Sequence, residues 1–75
     1  MSNPKISLPE LVDRINVFAK RDPFYIAGTY AAIAPEGRSE EWPLGIKFHH
    51  RGGAGIRALA EAQQTVLESF DLETD

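Results

Sequence analysis

The residues best suited to chemistry gather in one stretch, 47–57 (KFHHRGGAGIR). It reads as the end of a strand, a glycine-rich turn and the start of a helix. A helix N-terminus presents free N–H groups and the positive end of the helix dipole, and glycines let a backbone approach an anion closely. Lys47, His49, Arg51 and Arg57 would add charge, while Gly52, Gly53 and Gly55 would supply bare backbone. The chemistry implied is the grip of a phosphate or a nucleotide, with Tyr25 or Trp42 stacking on a base. The motif is partial: there is no Gly-Lys-Ser/Thr ending, and the glycines do not follow G-x-G-x-x-G. A tight turn entering a helix accounts for the same glycines more simply.

Other constellations carry less. Neighbouring strand residues point to opposite faces, so His49 and His50 would not converge on one ion, and no second pair of ligands backs them. The sequence predicts no metal site and no cofactor. There is no cysteine to serve as nucleophile or disulfide partner, and no nucleophile elbow around a serine. Glu40 and Glu41 read as a solvated loop charge rather than an acid–base pair, and the expectation is that the protein is not an enzyme. Trp42, flanked by Glu40, Glu41 and Pro43, could anchor a protein interface together with Tyr25, because Trp and Tyr favour binding hot spots. Its alternation with Leu44, Ile46 and Phe48 equally fits a core tryptophan opening a buried strand face.

These residues need elements to hold them. Ser7 and Glu10 form an S-x-x-E capping box, Ile6 and Leu11 are placed for a hydrophobic staple, and Pro9 is tolerated in a first turn. Apolar residues at Leu8, Leu11, Val12, Ile15, Phe18 and Ala19 have helical spacing, and Asp22-Pro23 stops the run. The pattern predicts a helix over 8–21. Residues 24–34 are aromatic, β-branched or small and are bounded by prolines, which predicts a strand with two apolar faces. A polar loop over 35–41 leads to a second strand over 42–49, alternating Trp42, Leu44, Ile46 and Phe48 with Lys47 and His49. A second helix over 54–70 carries Ile56, Leu59, Val66, Leu67 and Phe70 on one stripe. Residues 1–6 read as a short tail and 71–75 as a frayed acidic one.

The fold class expected is therefore α+β: a single small α-β-β-α domain in which an antiparallel hairpin packs against two amphipathic helices. With 75 residues the chain has little core to spare. A lone hairpin is marginal in water and its edges invite pairing, so the sequence predicts a homodimer that extends the sheet. A net charge of −3 and the lack of an apolar run of membrane-spanning length argue against direct nucleic-acid binding and against a membrane. Without a signal-peptide pattern at the N-terminus the expected location is cytoplasmic. Size, acidity and the missing catalytic residues point to a non-catalytic protein-interaction module, such as an adaptor, regulator or inhibitor. It would bind itself and another protein through its helices or through Trp42, Glu40, Glu41 and Tyr25. The alternative is a binder of a phosphate-containing small molecule at the 51–57 turn.

Overall fold

The computed structural model of the protein describes residues 3–73. Helix α1 spans Leu8–Lys20, close to the expected range. Ser7 caps it, its Oγ accepting the N–H of Glu10 at 3.4 Å. The reciprocal half of the capping box is not made, because the Glu10 carboxylate turns along the helix and takes Arg14 at 3.2 Å instead. Leu11, Ile15 and Ala19 form the buried stripe.

The first strand of the hairpin, β2 (Tyr30–Ile33), is much shorter than the expected 24–34. Residues 24–29 form no strand and are held by turns instead. The Asp22 carboxylate accepts the Phe24 N–H at 2.8 Å, the Tyr25 N–H bonds to the Asp22 carbonyl, and the Thr29 N–H bonds to that of Ile26. Gly28 sits at φ +91°, a conformation that side-chain-bearing residues rarely adopt. Local turn chemistry thus overrides the β-propensity of Phe24, Tyr25 and Ile26. Strand β3 (Ile46–His49) is also shorter than 42–49, because the Gly45 N–H closes a turn onto the Trp42 carbonyl with Gly45 at φ +76°.

The two strands pair antiparallel, as expected, with Tyr30 opposite His49, Ala31 opposite Phe48, Ala32 opposite Lys47 and Ile33 opposite Ile46. Ala31 and Ile46 enter the core and Phe48 packs against it, so Lys47 and His49 lie on the outer face. Helix α2 (Gly53–Ser69) buries Ala58, Leu59, Ala62 and Val66.

The chain ends differ from the expected tails. Lys5–Ile6 (β1, first in chain order) and Asp71–Leu72 (β4) form a parallel pair, Lys5 opposite Asp71 and Ile6 opposite Leu72. The Asp71 N–H bonds to the Pro4 carbonyl and the Glu73 N–H to that of Ile6. The physical reason is burial: Ile6 is 1% exposed, and Leu72 packs on the same core. The outermost positions of both expected tails, 1–2 and 74–75, lie outside the described residues. The result is an α+β fold in which two helices and a hairpin share one core, with the two chain ends paired at its margin.

Candidate functional site

The glycine turn is held by the start of α2. Gly52 occupies the N-cap position at φ +151°, with no side chain capping the helix. Gly55 faces the 26–29 turn so closely that an added Cβ would lie 2.7 Å from Thr29 Oγ1. That glycine permits a helix-to-loop contact. Around Gly53, by contrast, a Cβ would meet nothing.

Beside this turn lies a cleft of about 500 Å³, lined by Asp22 and Phe24 on one side and by Gly53, Ala54, Arg57 and Glu61 among others on the α2 side. Of the seven residues expected to grip an anion, Gly53 and Arg57 reach it. The Arg57 guanidinium is bonded along its own helix to Glu61 at 3.3 Å. Two carboxylates, Asp22 and Glu61, therefore share the cleft with one guanidinium.

The remaining basic candidates lie along the hairpin. Lys47 and His49 point outward from β3, and the His49 ring stacks on Tyr30 across the strands, centroids 4.5 Å apart and planes 13° from parallel. The Arg51 side chain lies across Gly28, its Nε 3.3 Å from where a Cβ would stand. Tyr25, named from sequence as a stacking ring, is half-buried against the core. Tyr30 is the exposed ring instead, and only the cross-strand register, which sequence does not supply, identifies it.

Of the partner-binding candidates, Glu40 and Glu41 are exposed in the loop, whereas Trp42 is half-buried and meets Phe48 edge-to-face at 5.8 Å. Trp42, Leu44, Ile46, Phe48 and Gln63 line a shallow groove of about 160 Å³, with Glu41 at its rim. The feature that sequence reasoning missed is apolar exposure. Among the described residues, every large hydrophobic more than about a third exposed falls between 17 and 33: Val17, Phe18, Phe24, Ile26, Tyr30 and Ile33. Helical spacing placed Phe18 on the buried stripe, and the strand reading hid Phe24 and Ile26. No helix among the described residues is long and apolar enough to cross a membrane. Compared with known families, with curated proteins and with solved structures, the chain matches none.

Proposed function

We propose that the protein is a non-catalytic protein-interaction module, a small adaptor, regulator or inhibitor that works as a homo-oligomer. The observation that carries this reading is the exposure of Val17, Phe18, Phe24, Ile26 and Ile33, with Phe24, on a turn, 68% exposed. Contiguous apolar surface is the usual mark of a contact area for another protein. Isolated exposed side chains need no such explanation. Here, though, they come from one stretch of the chain, while β3 and α2 contribute none.

The edges of the hairpin favour one form of self-association over another. On β2 the outward-facing groups of Ala31 are taken by the Asn16 side chain, and on β3 Ile46 is only 3% exposed. Contact through the side chains of Val17, Phe18, Phe24, Ile26 and Ile33 is therefore a better route to a dimer than joining two hairpins edge to edge. A phosphate grip at the start of α2 has weaker support, since Asp22 and Glu61 flank Arg57 there. Sedimentation of the purified protein over a dilution series tests the proposal. The expected result is a reversible dimer, and a monomer at every concentration removes the homo-oligomer from it.

A further inference from the structure

The outer face of the hairpin differs in chemistry from the rest of the molecule. No helix covers it. It carries Tyr30 and Ala32 from β2 and Lys47 and His49 from β3. Tyr30 is 48% exposed while one face of its ring rests on His49, so the ring is held upright with aromatic surface still open to solvent. Arg51 follows β3 beyond the Tyr30–His49 end of the hairpin, where its side chain lies across Gly28.

Charge is segregated in the same sense. The chain has a net charge of −3, yet residues 42–60 contain no Asp or Glu and do contain Lys47, His49, His50, Arg51 and Arg57. Residues 23–35, which include β2, contain no charged residue at all. The acids of the connecting loop, Glu36, Glu40 and Glu41, belong to the opposite end of the hairpin from Arg51. Among the described residues neither Lys47 nor Arg51 has an ion-pair partner, in contrast to Arg14 and Arg57. Outward positions on a strand recur about every 6.6 Å, so Lys47 and His49 are spaced along this face, with Arg51 beyond its end.

We propose that this face binds single-stranded nucleic acid. An exposed ring fixed by a second ring offers a stacking platform, which suits any base because every base has a π-face. Lys47 and Arg51 flank the stack and complement backbone phosphates. Neither the cleft beside α2 nor the Trp42 groove is lined by this face, which suits a polymer laid across a sheet better than a mononucleotide, since small ligands favour concave sites. A duplex hides its bases and cannot use the platform. An acidic polypeptide would satisfy the cations but leave the Tyr30 ring without a partner.

The test is fluorescence anisotropy with a labelled oligothymidylate at low salt, alongside a duplex of equal length and labelled poly-glutamate. The expected result is binding to the single strand, at least about tenfold weaker for the duplex and for poly-glutamate. Tyr30→Ala should weaken binding by about tenfold and Tyr30→Phe should retain it, the range reported for loss of one stacked base. Lys47→Gln should reduce the slope of log affinity against log salt by about 0.7, the increment for one single-strand phosphate contact. Circular dichroism of each variant confirms that the fold survives. No binding at low salt, equal binding of the duplex or of poly-glutamate, or indifference to Tyr30→Ala in a folded variant would each overturn the proposal. Phe24→Ser lies off this face and should leave binding unchanged, which separates this site from the self-association surface.

Discussion

The side-chain amide of Asn16 takes the place of a neighbouring strand at Ala31. Its Nδ2 donates to the Ala31 carbonyl at 3.0 Å, and its Oδ1 accepts the Ala31 N–H at 2.7 Å. One residue of α1 thus satisfies both outward groups at one position of β2. This is the kind of cover that keeps a sheet edge from pairing with another chain. It also ties the helix to the hairpin at a fixed height, because both bonds must form together.

Asn16→Leu keeps the branched shape, though it is bulkier, and leaves both Ala31 groups without a partner in a partly buried place. The expected cost is about 1–3 kcal/mol, read by urea denaturation, since stranded polar groups lose their full desolvation energy. The opened edge should also promote aggregation near the unfolding midpoint. Unchanged stability would mean that water serves Ala31 equally well.

The two glycines in the first turn of α2 should respond in opposite directions. Gly55→Ala drives a methyl to 2.7 Å from Thr29 Oγ1 and should destabilise by about 1–3 kcal/mol through overpacking. Gly53→Ala meets nothing and should be neutral or stabilise by about 0.4–1 kcal/mol, because alanine restricts the unfolded chain. Thermal melts of the pair give the comparison, and equal effects would contradict the packing described here.

Thr29 Oγ1 is buried against Gly55 with no hydrogen-bond partner among the described residues. Thr29→Val has nearly the same shape and removes that hydroxyl. Stability should hold or rise, whereas a loss above about 1 kcal/mol would reveal a hydrogen bond to ordered water there.

Pairing of the chain ends makes Ile6 a core residue. Ile6→Ala should cost about 2–5 kcal/mol, as for other buried aliphatic truncations. Leu72→Ala, half-buried on the opposing strand, should cost less, and Lys5→Ala, at an exposed position, should fall within about 0.5 kcal/mol of wild type. If the ends were merely tails, all three substitutions would look like Lys5→Ala.

Local signals in the sequence located much of this fold. The Ser7 cap, the Leu11–Ile15–Ala19 spacing and the Asp22-Pro23 stop define α1, and the Ile46–Phe48 alternation assigns the faces of β3 correctly. Long-range relationships were not legible. Nothing near Asn16 marks it as a partner of Ala31, fifteen residues on, and nothing in residues 71–73 announces a strand paired with residues 5–6. At 24–29 the composition favoured a strand, but Gly28 with its left-handed backbone and the Asp22 side chain made turns instead. That misreading also hid the candidate surface, because residues assigned to a covered strand are not expected to be exposed. The stack of His49 on Tyr30 likewise depends on register, which hydrophobic pattern alone does not fix.

Light scattering of the wild-type protein beside Phe24→Ser and Ile33→Ser tests the central claim most directly. Both side chains are exposed in the single chain, so their replacement should leave the fold intact by circular dichroism. The account predicts a dimeric mass for the wild type that falls to a monomeric mass in the variants. A wild type that stays monomeric, or a dimer indifferent to both substitutions, would contradict it.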